Sequence, residues 1–159
     1  MRHDKSLQER YAPQNRCFGC GPANEKGLRI RSFPADDPAS KDVVLDWTPE
    51  PHHLAFEGVL NGGIIGTLMD CHSNWAAVWH LMRRDDLEEA PRCVTADFHV
   101  KLRRPTPAAG PVHIAARAIE STGKRVTVEA VMTCEGVETA ICRGTFVAVG
   151  PGHPAYERW

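Results

Sequence analysis

No run of apolar residues in this chain approaches the roughly eighteen that a membrane-spanning helix needs. The opening Met1-Arg2-His3-Asp4-Lys5 leads into polar residues without the short apolar stretch of a secretion signal. A soluble, cytoplasmic chain is therefore expected. Charge of one sign is scarce as well: a formal net charge of −1 and a pI near 6.7 create no global field that would draw in nucleic acid or an acidic membrane surface, so neither is an expected partner. Cysteine is too thinly spread to staple a fold. The six residues Cys17, Cys20, Cys71, Cys93, Cys134 and Cys142 are scattered over 159 positions, and reduced thiols are the expectation. Also missing are repeats, low-complexity tracts, the glycine loop of nucleotide enzymes and a legible Ser/His/Asp or Cys/His triad. Cys17-Phe18-Gly19-Cys20 is half of a zinc knuckle, but no second Cys-x-x-Cys completes it. A tight turn with no bound metal is the reading adopted.

What is present is a chain of 42% hydrophobic and 25% charged residues, long enough to bury one core and short enough for one domain. Residues 1–27 read as an irregular polar arm. Leu28 to Phe33 alternates apolar and polar residues as a strand would, and Val43 to Trp47 is β-branched and ends before Pro49. Loops are expected over 34–40 and 52–60. Asn61 stands where an N-cap belongs, and a helix follows from about Gly62 to Arg83, apolar nearly all round and so buried on most sides. After the acidic loop Asp85 to Glu89 come four strand-like runs, Arg92 to Arg103, Val112 to Glu120, Arg125 to Cys134 and Val137 to Val149, whose short connections suggest an antiparallel meander. An antiparallel sheet covering a helix that is apolar all round must curl about it. The class is α+β: one long central helix wrapped by a curved antiparallel sheet of about six strands.

Chemistry concentrates in Gly58-Val59-Leu60-Asn61-Gly62-Gly63 and the Asp70 that follows. Glycines at a helix start let a ligand approach the backbone, and the unpaired N–H groups there, Gly63 foremost, can polarise a carbonyl. They can equally serve close helix-to-sheet packing. Asp70 lies among Ile, Leu, Met and Ala, where an unanswered carboxylate is costly; Asn74 follows one turn later on the same side. Arg83 or Arg84 would answer it on a solvated face. Asp70 can attack an acyl carbonyl directly or act as base on water. Asn61 serves as helix cap, as a hydrogen-bond donor to the substrate, or as both. Rise per residue separates Gly63 from Asp70 by roughly 10 Å, whereas both must lie about 3 Å from one carbonyl group. Two antiparallel helices at a two-fold axis would solve this by placing Gly63 of one chain beside Asp70 of the other.

These residues, with Val94-Thr95-Ala96-Asp97-Phe98 and Leu102-Arg103-Arg104-Pro105, resemble the hotdog-fold acyl-CoA thioesterases of the PaaI-like group over roughly residues 17 to 149. The chain departs from that group at Asn61, where a His-Gly-Gly motif is usual, and asparagine cannot titrate near pH 7. The resemblance implies a hotdog domain over 28–150 with a tail at 151–159, and hydrolysis of an acyl-CoA or related thioester, with CoA as part of the substrate and no other cofactor. It implies a homodimer or dimer of dimers. Thr95 resembles the hydroxyl residue that orients the acid or its water. Arg103, Lys124 and Arg125 resemble positions that meet CoA phosphates, beside Lys101 and Arg104. Gly62 and His53 are expected at the mouth of the site, and Trp75 and Trp79 either wall the acyl pocket or belong to the core. The rival readings are a hotdog domain that binds acyl thioesters without turning them over, and a hydratase.

Overall fold

In the computed structural model, which describes residues 4–159, Ser6 opens a short helix, α1 (Leu7–Tyr11). Ser6 Oγ accepts the Glu9 N–H while the Glu9 carboxylate accepts the Ser6 N–H, which closes a capping box. The expected irregular arm is thus partly helical, and it is anchored: Leu7 and Gln8 are buried. Residues 1–3 of that arm lie outside the described residues.

A second correction concerns Leu28 to Phe33. Its alternation is real, since Leu28, Ile30 and Ser32 are buried, but only β1 (Phe33–Pro34) pairs in the sheet. The backbone of the rest is committed to the arm: Leu28 N–H donates to the Phe18 carbonyl, Ile30 N–H to that of Gly19, and the Ser32 carbonyl accepts from Leu7 N–H. Arg29 sits at φ 55°, which breaks the extended run. β2 (Val43–Trp47) forms as read. The loop expected at 52–60 instead holds a turn of 3-10 helix (Pro51–His53) and a small hairpin, β3 (Leu54–Phe56) and β4 (Val59–Leu60), hinged at Gly58 with φ 76°.

The long helix, α2 (Gly62–Arg84), follows Asn61, whose side-chain oxygen caps it. Four long strands come next: β5 (Cys93–Leu102), β6 (Val112–Thr122), β7 (Arg125–Cys134) and β8 (Val137–Ala148). The six-stranded antiparallel sheet runs β1-β2-β6-β7-β8-β5, so β6 to β8 form the meander. β5 departs from the expected order, because it crosses to the far edge and pairs with β8 instead of β6. The sheet wraps α2, which touches β2, β5, β6, β7 and β8. Val126, Val128, Ala130 and Met132 of β7 face the helix fully buried, while Glu129 and Val131 face out. This is the hotdog fold.

The helix is pinned by a polar chain as well as by apolar packing. His72 is fully buried; its Nδ1 lies 2.9 Å from Ser32 Oγ and its Nε2 3.0 Å from the Val43 carbonyl. Gln8 Nε2 donates to the same Ser32 Oγ at 2.9 Å, and Gln8 Oε1 accepts the Ser32 N–H. Burial drives the imidazole pKa down to about 4. It is therefore neutral at pH 7, with Nε2–H donating to Val43 and Nδ1 accepting from Ser32. No helix among the described residues is long and apolar enough to cross a membrane.

Candidate active site

Asp70 sits midway along α2 on the side that faces the start of β5, where Thr95 Oγ1 donates to Asp70 Oδ1 at 2.7 Å. A bulge at Ala96 shifts the β5 register immediately after Thr95, between its pairings with Phe146 and Thr145. One helical turn beyond Asp70, Asn74 Nδ2 donates to the Cys93 carbonyl at 3.1 Å, which ties the helix to the first residue of β5. Asp70, Asn74, Trp75, Thr95 and Trp159 line one cavity of about 240 Å³. Desolvation raises the Asp70 pKa above its ordinary value, the Thr95 hydrogen bond opposes this, and negative charge on Cys17 adds to the rise. The basic residues that would have answered Asp70 are engaged elsewhere. Arg84 pairs with Asp85 at 2.6 Å and Arg83 lies over the Trp79 ring.

The helix start is assembled as a cap. Asn61 Oδ1 accepts from Gly63 N–H at 2.8 Å and from Ile64 N–H at 3.1 Å. The donor assigned to Gly63 is therefore already paired within the chain. Gly62 N–H has no acceptor among the described residues, and the cap uses only the Oδ1 of the Asn61 amide. A Cβ at Gly62 would come within 3.2 Å of Leu102 Cδ1, so glycine there permits the end of β5 to close on the helix start.

Several expected members lie elsewhere. His53 does not reach the Asp70 cavity: it turns inward against Trp47, ring centroids 4.9 Å apart, and its Nδ1 accepts the Glu50 N–H. Its carbonyl does accept the Asn61 N–H at 3.0 Å, so it positions the cap through the backbone. Arg103 follows the last residue of β5 and pairs with Glu138 at 3.1 Å, whereas Lys124 and Arg125 lie at the β6–β7 turn, across from the other end of β5. That strand is ten residues long, roughly 30 Å, so one protomer does not gather these cations. Trp75 is both core and cavity wall. It packs tilted against Trp159, centroids 5.4 Å apart, whose indole N–H donates to the Cys93 carbonyl at 2.8 Å. Trp159 thus helps to wall the cavity, a role for which sequence pattern gave no signal.

The least anticipated neighbours are thiols. Cys17 and Cys20 of the arm and Cys71 of α2 line the same cavity as Asp70, and their sulfur atoms all lie within 4.8 Å of one another. Two of its three members were visible as Cys-x-x-Cys; the third, Cys71, 54 residues beyond Cys17, was not.

The Thioesterase superfamily model matches residues 57–141, more than half of the chain, including the helix start, Asp70 and Thr95. No curated protein matches the sequence significantly. Among solved structures, a thioesterase superfamily protein from Shewanella loihica is 23% identical with a TM-score of 0.65, covering 81% of this chain and 98% of its own. A thioesterase from Haemophilus influenzae is 18% identical with a TM-score of 0.66, over 81% and 84% of the two chains. The PaaI protein from the phenylacetic acid degradation operon of E. coli is 16% identical with a TM-score of 0.63, over 77% and 81%. At these identities the structures speak for the fold.

Proposed function

This chain belongs to the thioesterase superfamily, and we propose that it hydrolyses an acyl-CoA or related acyl thioester at a site shared between two copies of itself. The observation that carries the reading is Asp70, a carboxylate in a small, largely apolar cavity, held by the Thr95 hydroxyl at 2.7 Å. Thr95 occupies Oδ1, which leaves Oδ2 for a water or for the thioester carbonyl carbon. In the first route Asp70 takes a proton from water as it attacks. In the second a mixed anhydride forms and CoA thiolate leaves before water arrives. Single-turnover hydrolysis in 18O-labelled water tests the second: water that attacks the mixed anhydride at the Asp70 carboxyl carbon leaves label in Asp70, which the first route never does.

The carbonyl oxygen would be polarised at a helix start, from Gly62 N–H, from the Asn61 amide, or from Gly63 N–H once it exchanges Asn61 Oδ1 for the substrate. Length along α2 keeps that start from serving the same chain's Asp70. The unpaired edge of β5 supports a two-fold arrangement: it is ten residues long and carries exposed Phe98 and Leu102. Antiparallel pairing of β5 with a second copy would bring the Arg103 end of one chain beside the Lys124 and Arg125 end of the other, collecting the cations for CoA phosphates that one protomer separates. Pairs of such dimers are consistent with the same reading.

A second reading, binding of an acyl thioester without turnover, is favoured by one observation: the Asn61 cap already uses the Gly63 N–H. The test is release of free thiol from a panel of aliphatic and aryl acyl-CoAs and acyl carrier protein thioesters by the wild-type chain and by Asp70→Ala. Hydrolysis predicts turnover that falls by about 10²- to 10⁴-fold in the variant. No thiol release from any substrate, with saturable binding retained, would leave the binding reading standing.

A further inference from the structure

We propose that Cys17, Cys20 and Cys71 form a metal site for a soft divalent cation, zinc in the first instance, that fastens the N-terminal arm to α2 beside the Asp70 cavity. The three thiols come from two segments that the fold brings together, and all their sulfurs lie within 4.8 Å of one another. Cys17 Sγ and Cys71 Sγ are 3.8 Å apart. Zinc–thiolate bonds of about 2.3 Å at tetrahedral angles give sulfur–sulfur edges of about 3.8 Å. A disulfide would use two of the thiols and leave the third unpaired beside it, whereas a metal uses all three.

The loop that carries the two arm thiols is tightly closed: Gly21 N–H donates to the Cys17 carbonyl at 2.9 Å and Cys17 N–H to Asn15 Oδ1 at 2.8 Å. Gly19 and Gly21 have no room for side chains. A Cβ at Gly19 would lie 2.4 Å from Cys71 Sγ, and one at Gly21 would lie 2.4 Å from the Cys17 nitrogen. Positive charge is also at hand. Arg31 Nη1 donates to the Cys20 carbonyl at 3.2 Å, and its buried Nη2 has no acceptor among the described residues. Three thiolates around a divalent cation carry one net negative charge, and the guanidinium beside the Cys20 carbonyl, which also pairs with Glu9 at 3.8 Å, is the nearby cation that favours it. Soft sulfur donors select zinc over calcium or magnesium. Binding releases the proton of each thiol that holds one, so affinity depends on pH. Three protein ligands leave one tetrahedral position, and the cavity that the thiols share with Asp70 and Asn74 supplies the space for a water there.

The proposal does not depend on thioester hydrolysis. Full-length protein purified under reducing conditions without a histidine tag is assayed for metal by mass spectrometry. It is also stripped with chelator and titrated with cobalt(II). The account expects about one zinc per chain, a sulfur-to-cobalt charge-transfer band with tetrahedral visible absorption, and loss of both in Cys17→Ser and Cys71→Ser but not in Cys134→Ser. The cobalt titration needs only wild-type protein and so stands even where a variant fails to fold. Less than about a tenth of an equivalent of zinc with no cobalt band, unchanged metal content in the variants, or a disulfide among the three cysteines in the reduced preparation would overturn it.

Discussion

A carboxylate on a helix that is buried on most sides needs a partner, and for Asp70 the partner is one hydroxyl. Thr95 fixes which oxygen is engaged and which is free, so its contribution should read out in turnover more than in binding. Thr95→Val, which keeps the shape and removes the hydrogen bond, is expected to lower kcat by about tenfold with KM little changed, and Thr95→Ser to recover most of it. Full turnover in Thr95→Val with loss in Thr95→Ser would mean that the methyl group, not the hydroxyl, matters. Asp70 was legible in the sequence because it is a carboxylate inside an apolar pattern, whereas Thr95 was named only through the family resemblance. The thiol cluster was legible only in part: Cys17 and Cys20 announce themselves by spacing, while Cys71 is one more small residue on a buried helix until the fold sets Gly19 against it.

Among the elements, α2 was the easiest to read and its N-cap the most consequential detail. Asn61→Ala removes the acceptor for Gly63 and Ile64 and should cost about 1 kcal/mol in chemical denaturation. Asn61→Asp retains the acceptor and loses the amide protons. If the Asn61 amide helps polarise the thioester, that variant keeps its stability and loses turnover by about tenfold or more, and retention of full turnover would assign Asn61 to capping alone. The segment from Leu28 to Phe33 alternates as a strand would, yet only its last residue joins the sheet. Alternation reports which side chains face inward, not whose carbonyls the backbone meets, and here the arm claims them. Ser32 illustrates the cost of that arrangement. His72→Ala would strand the buried Ser32 hydroxyl and Val43 carbonyl and open a cavity, and a loss of about 2–4 kcal/mol in unfolding free energy is expected. A loss below about 1 kcal/mol would show that the Gln8-Ser32-His72 chain contributes little to holding the arm.

For the whole molecule, the strand order places the longest unpaired edge, β5, next to the proposed chemistry at both of its ends: Thr95 near one, and Leu102 against Gly62 near the other. An antiparallel two-fold pairing of that edge would exchange those ends between chains. A dimer at micromolar concentration by sedimentation is expected, weakened at least tenfold by Phe98→Arg with Leu102→Arg. The position of β5 was not readable in advance, since four strands in succession look like a meander whichever edge the first one takes. The proposal of a shared site rests on a distance along α2 that helix geometry sets whatever the sheet does.

Subunit complementation tests the shared site most directly. Asp70→Ala and a helix-start variant, Gly63→Val, are each assayed alone for thiol release and then co-refolded so that hybrid dimers form. Each hybrid should contain one site with both Asp70 and an intact helix start, so activity should return to about half that of a wild-type dimer per hybrid. If the hybrids are as inactive as the two parents, the acid and the helix start act within one chain and the account is contradicted.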